Sequence, residues 1–195
     1  MDSEAISNRV LAELLTDAGW PMTTDQAIET FMGRSWKAVS GWADERGGLP
    51  DGFRRRYLDQ MFAAFESDLQ PVPGVVAALD AIALPTCVAS SGSHEKMEMT
   101  LGHTGLWDRF EGRIFSATEV EHGKPAPDLF LHAAASMGWE PGETAVVEDS
   151  PAGVQAALAA GMTAFGYAGT TPASRLDGAR VFTDMAKLPG LLQPS

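Results

Sequence analysis

Over residues 1–70 the apolar positions recur at helical spacing and nowhere alternate with period two. Ile6, Val10, Leu11, Leu14 and Leu15 mark an amphipathic helix from Ser3 to Ala18, with Gly19 as its stop. Thr23 or Thr24 can cap a second helix through Phe31. Gly33-Arg34-Ser35 separates it from a third, which carries Trp36, Val39 and Trp42. A Gly/Pro-rich break at Gly47 to Gly52 precedes a longer helix from Phe53 to Phe65. At Pro71-Val72-Pro73-Gly74 the pattern changes to short helices alternating with short strands. Helices are expected over Val75–Ala83, Lys96–Leu106, Pro127–Met137 and Val154–Ala160. Strands are expected over Pro85–Ser90, Arg113–Ser116, Thr144–Val147, Thr163–Tyr167 and Arg180–Thr183. The pattern therefore predicts an α/β protein: a helical cap over residues 1–70, and a doubly wound parallel sheet over residues 71–195.

Composition narrows what this chain can touch. Its 195 residues suffice for one compact domain, or for a core that carries a smaller one, and 45% hydrophobic with 21% charged residues excludes disorder. With 26 acidic against 14 basic side chains, the net charge of -12 repels nucleic acid and anionic membranes. No apolar stretch approaches the ~18 residues of a membrane span, and no basic-then-apolar leader opens the chain, so a cytoplasmic location is expected. The single cysteine, Cys87, lies in the apolar run Thr86-Cys87-Val88-Ala89 and is expected to be a core thiol rather than a nucleophile. The Pro-containing tail from Leu188 to Ser195 is expected to fray.

Three short segments carry candidate chemistry. The run Thr144-Ala145-Val146-Val147 stops on Glu148-Asp149 and turns through Ser150-Pro151-Ala152-Gly153 into a helix. Adjacent carboxylates at a strand's carboxyl end are either an exposed acidic turn or a site for a hard cation such as Mg²⁺. The strand through Cys87-Val88-Ala89 ends in Ser90-Ser91-Gly92-Ser93. Their hydroxyl and backbone N–H groups can cradle an anion, or form an ordinary capped turn. In Gly123-Lys124-Pro125-Ala126-Pro127, Lys124 is held in a rigid loop, which suits a fixed positive charge beside a transferring phosphate. His122 beside it reads as a solvated or structural side chain, and no histidine cluster points to zinc.

In this order and spacing the three segments resemble the haloacid dehalogenase (HAD) superfamily, in its phosphatase and phosphomutase branch, over almost the whole chain. The resemblance implies a Rossmannoid core with a helical cap, and a small phosphorylated metabolite as substrate. Ser90 would orient the phosphoryl group, with Ser91 and Gly92 beside it. Lys124 would neutralise phosphoryl oxygens, and Glu148 with Asp149 would hold Mg²⁺ as cofactor. Arg34 would reach over the substrate from the cap.

The chain departs from the pattern in one respect. Members of this superfamily open with an apolar strand that ends in Asp-x-Asp, whose first aspartate attacks phosphorus; here the sequence opens Met1-Asp2-Ser3-Glu4. The central first strand is therefore expected to be missing, as a late start or truncation would produce. Its three or four buried side chains, at about 2 kcal/mol each, weigh heavily against a domain stability of about 5–15 kcal/mol. The expected function is a Mg²⁺-dependent phosphatase for a small phosphorylated sugar or sugar acid, with its nucleophile supplied by an N-terminal segment. The alternatives are a nucleophile-less phosphate- and metal-binding protein and a β-phosphoglucomutase-like phosphomutase.

Overall fold

The computed structural model describes residues 3–32, 34, 36–169 and 171–193. Four helices come first: α1 (Ser3–Asp17), α2 (Thr24–Phe31), α3 (Trp36–Asp44) and α4 (Phe53–Asp68). Thr23 starts α2 through a capping box with Gln26, which satisfies two N–H groups that the first helical turn would leave bare. The apolar stripes of the four helices close on one cluster, with Leu15, Phe53, Met61, Phe65 and Leu69 almost fully buried. Its rim is aromatic: Trp36 stacks on Tyr57 at 5.3 Å, and Trp20 meets Trp42 edge-on at 6.0 Å.

The alternating part follows as α5 (Val75–Ala81), β1 (Val88–Ser90), α6 (His94–His103), α7 (Trp107–Phe110) and β2 (Ile114–Ser116). It continues with α8 (Asp128–Met137), β3 (Ala145–Glu148), α9 (Pro151–Ala159), β4 (Thr163–Tyr167), β5 (Arg180–Phe182) and α10 (Leu188–Leu191). Every pairing among them is parallel. Helices α8 and α9 cover one face, burying Phe130, Val154 and Ala157 against Val146 and Ala164. Helices α5, α6 and α10 cover the other, where Val75 joins the cluster of Phe165 and Phe182 to that of Met97 and Leu101. The layering is that of an α/β doubly wound sheet.

The sheet is nevertheless in two pieces: β1 pairs only with β2, and β3–β4–β5 form the other piece, in that order, among the described residues. A slot of about 970 Å³ lies between β1 and β3.

Several expected boundaries need correction. The strand expected over Pro85–Ser90 is formed only from Val88, because its pairing starts with the Val88 N–H to Arg113 carbonyl bond, and Gly112 (φ +74°) turns the partner strand away before that point. The helix expected over Lys96–Leu106 runs from His94 to His103. Ser93 caps its start, and Gly105 (φ +69°) breaks it ahead of the unforeseen α7. The tail forms α10 instead of fraying at Leu188, whose side chain is buried beside Ala78 and Phe182. Cys87 is half-buried in the wall of the slot and not sealed in a core.

Candidate active site

The carboxyl ends of β1 and β3 face each other across a single lysine. Lys124 follows the turn after β2 and is joined to Pro125 by a cis peptide. Its side chain is 7% exposed and its ammonium lies 4.7 Å from the Phe130 ring centroid. Nζ donates to the Ala89 carbonyl oxygen at 3.3 Å and forms an ion pair with Glu148, whose side chain is 10% exposed. One cation therefore joins the ends of the two half-sheets, and a buried charge of each sign has its partner.

Glu148 is held from a second side. Ser150, the N-cap of α9, donates its hydroxyl to Glu148 Oε2 at 2.9 Å while accepting from the Gly153 N–H at 3.0 Å. Gly153 leaves room for the Glu148 carboxyl group, which a Cβ at this position would displace. At Asp149, burial and then the adjacent Glu148 charge push the carboxyl up to about 6. A cation beside Asp149 would relieve that penalty. Glu148 and Asp149 are a donor set that fits Mg²⁺, which takes one or two carboxylates and completes its shell with water and substrate oxygens.

A pocket of about 280 Å³ collects these groups. Ser90, Ser91, Lys124, Glu148 and Asp149 line it, together with Ser3 and Glu4 from the start of α1. Ser90 Oγ accepts from the Gly92 N–H at 3.1 Å, and the helix-capping role falls to Ser93, which accepts from the Lys96 N–H at 3.3 Å. Gly92 sits behind this wall, its carbonyl accepting from Ser116 Oγ at 2.7 Å. A side chain there would press on Lys96 and Ser90. Arg34 is exposed and does not line the pocket; Met32 of the same loop does. Gly33 and Ser35 lie outside the described residues.

Other residues support the site without having been singled out from sequence. The Ser116-Ala117-Thr118-Glu119 segment is a capping box, a pattern legible as Ser-x-x-Glu, in which Glu119 Oε2 accepts from the Ser116 N–H at 2.7 Å. Glu119 also meets His94 at 3.0 Å and His132 at 3.7 Å, which ties the turn after β1 to the segment that leads to Lys124. Its carboxyl is held below the usual range, chiefly by that backbone bond and then by His94. His122 is not merely solvated: Nδ1 lies 3.2 Å from Asp128, which also accepts from the His122 N–H. Ser150 and Gly153 carried no signal of their own beyond the Asp-Ser-Pro-x-Gly string.

Comparison with known proteins identifies the family. The family described as haloacid dehalogenase-like hydrolase matches residues 4–161. The 6-phosphogluconate phosphatase of Escherichia coli (strain K12) is 27% identical over 98% of this chain and 89% of its own length. A haloacid dehalogenase-like protein of unknown function from Agrobacterium tumefaciens superposes with a TM-score of 0.82 at 33% identity, over 98% of this chain and 91% of its own. A HAD family hydrolase from Deinococcus radiodurans, solved with phosphate and sodium bound, gives a TM-score of 0.72 at 27% identity, over 98% and 92%.

Proposed function

We propose, for a chain that belongs to the haloacid dehalogenase-like hydrolases, that it works as a Mg²⁺-dependent phosphatase on a small phosphorylated sugar or sugar acid. The residues of this chain supply the groups that orient the phosphoryl group, compensate its charge and hold the metal. The observation that carries this reading is Lys124, a buried cation held at once by the Ala89 carbonyl and by Glu148, with Ser90 and Asp149 in the same pocket.

Phosphoryl transfer asks mainly for positioning and charge compensation. Ser90 Oγ, with Ser91 beside it, orients the phosphoryl oxygens at the carboxyl end of β1. Lys124 places a positive charge against the oxygens that gain charge during transfer. Glu148 and Asp149 hold Mg²⁺, which when bound neutralises phosphate charge and fixes its orientation. The four helices of residues 1–70 act as a cap whose first turn, at Ser3 and Glu4, forms part of the pocket wall. Arg34, exposed beside Met32 of the pocket wall, is the cap residue assigned to reach the substrate. The relative named as a 6-phosphogluconate phosphatase supports a sugar acid as substrate.

Phosphate release from a panel of phosphorylated sugars and sugar acids, measured with MgCl₂ present, tests this reading. Lys124→Ala and Asp149→Asn should each lower kcat by at least ~10²-fold, the scale on which loss of one charge-stabilising group is felt, while far-ultraviolet circular dichroism stays unchanged. Full activity in both variants would refute the assignment.

A further inference from the structure

Helix α6 carries a lysine whose two ends serve different parts of the molecule. Strand β1 ends at Ser90, and Ser93 caps α6 after the Ser91-Gly92 turn. Lys96, one turn into the helix, stands behind that turn. Its stem packs there: a Cβ at Gly92 would lie 3.3 Å from Lys96 Cδ and 3.5 Å from Ser90 Oγ. The ammonium group reaches away from it, into the helices of residues 1–70. Nζ lies 5.8 Å from the ring centroid of Phe65 in α4, donates to Ser7 Oγ of α1 at 3.2 Å and stands 3.8 Å from Glu4 Oε1. One side chain thus touches the turn that holds Ser90 with its methylenes and the start of α1 with its charge.

The contacts at the charged end lead into the pocket. Ser7 is 5% exposed and donates in its turn to the Ser3 carbonyl oxygen at 2.6 Å. Ser3 and Glu4 line the pocket that also holds Ser90 and Lys124, whereas Lys96 stands outside its lining. Ser7 is also a hydrogen-bond partner of Tyr57 in α4, whose phenol burial pushes up to about 12. The amino-terminal turn of a helix carries the positive end of its dipole and favours an anion, yet Lys96 sits against that turn with Glu4 as its counter-charge. A pair as accessible as this one adds little to stability. What the contact does fix is the place of Ser3 and Glu4 relative to Ser90.

We infer that Lys96 is a positioning residue: it sets the separation between the Ser90–Gly92 turn and the first turn of α1, and so shapes the part of the pocket that receives the substrate beyond its phosphoryl group. For the class of ligand, a phosphorylated sugar or sugar acid, this role rests on the phosphatase reading. Lys124 is held by Ala89 and Glu148, with no contribution from α1. Loss of the Lys96 charge therefore separates the two ends of the ligand, leaving the phosphoryl end held and loosening the other.

Inorganic phosphate, which has only the phosphoryl end, is compared with a panel of phosphorylated sugars and sugar acids, by titration calorimetry and steady-state kinetics at fixed MgCl₂. Lys96→Met keeps a stem behind Gly92 and removes the ammonium group. It should raise Kd and KM for the organic phosphates about tenfold, within the usual range of coupling between two sites, change kcat less, and leave the Kd of inorganic phosphate unaltered. Lys96→Arg can still donate to Ser7 and should restore the parent values. Ser7→Ala removes the acceptor from the other side and should show the same selective loss. The double variant Ser7→Ala with Lys96→Met should be no worse than Lys96→Met alone, because both substitutions break one link.

Equal weakening of inorganic and organic phosphates would overturn the inference, since Lys96 would then act on the phosphoryl end or on the fold as a whole. So would an unaltered Kd for every compound, a loss that Lys96→Arg does not repair, or additive losses in the double variant. A parent protein that binds no organic phosphate more tightly than inorganic phosphate would overturn it too. Selective loss of binding in Lys96→Met, with no phosphate release from any compound by the parent, would keep the role of Lys96 and refute the phosphatase reading.

Discussion

At the scale of single residues, the site is held by groups that each serve two partners. Ser150 caps α9 and orients Glu148, and Glu148 in turn pairs with Lys124. Gly153 leaves the space in which the Glu148 carboxyl group rests. Gly153→Ala should therefore cost about 1–3 kcal/mol, the range for overpacking, measured by urea denaturation, and should lower activity as well because Glu148 must move. Glu119 gives a pH signature. Its carboxyl titrates below its ordinary range, so the stabilisation from its ionised form is fully present above the unfolded-state value. It is lost as pH falls through the folded one. Glu119→Gln should be less stable than the parent at neutral pH, and the difference should shrink as pH falls below the ordinary carboxylate range. The difference should be small because Glu119 and His94 are solvent-accessible. Equal Tm for the two proteins at pH 7 would remove the charge argument.

At the scale of elements, burial decided what propensity did not. Leu188-Pro189-Gly190-Leu191 has a poor helical composition, yet α10 forms because Leu188 fills a space against Ala78, Phe182 and Met185. Leu188→Ala should cost about 2–5 kcal/mol, as deletion of a buried leucine does elsewhere. An exposed-site cost of a few tenths in chemical denaturation would show that the helix is only laid on the surface. In β1 the opposite holds: Pro85, Thr86 and Cys87 extend the apolar run but face no paired strand on the β2 side, so the element is three residues long.

At the scale of the whole molecule, two half-sheets and a helical unit converge on one end. The pocket there combines a paired cation, Lys124, with a carboxylate, Asp149, that burial leaves partly protonated near pH 6. A bound divalent cation should stabilise the fold by mass action. Tm should rise with MgCl₂ concentration in the parent protein and not in Asp149→Asn, as differential scanning fluorimetry would read it. A parallel rise in both would place the ion elsewhere. No described helix is long and apolar enough to cross a membrane.

Helical periodicity through Phe65 and the β-α alternation after Gly74 determined the fold class, because spacing of apolar side chains is written directly in the chain. The three motifs were likewise legible: Ser90, Lys124, Glu148 and Asp149 are short strings at strand ends, and the structure brings all four to one pocket. What only tertiary structure decided depends on residues distant in sequence. That Lys124 would choose both Ala89 and Glu148, that Glu119 would meet two histidines, and that Arg34 would remain exposed are consequences of packing that no local pattern encodes. The slot between β1 and β3 is the clearest case, since its walls come from helices and strands far apart in sequence, Ala78, Phe130 and Val147 among them, and only their packing brings them to one space.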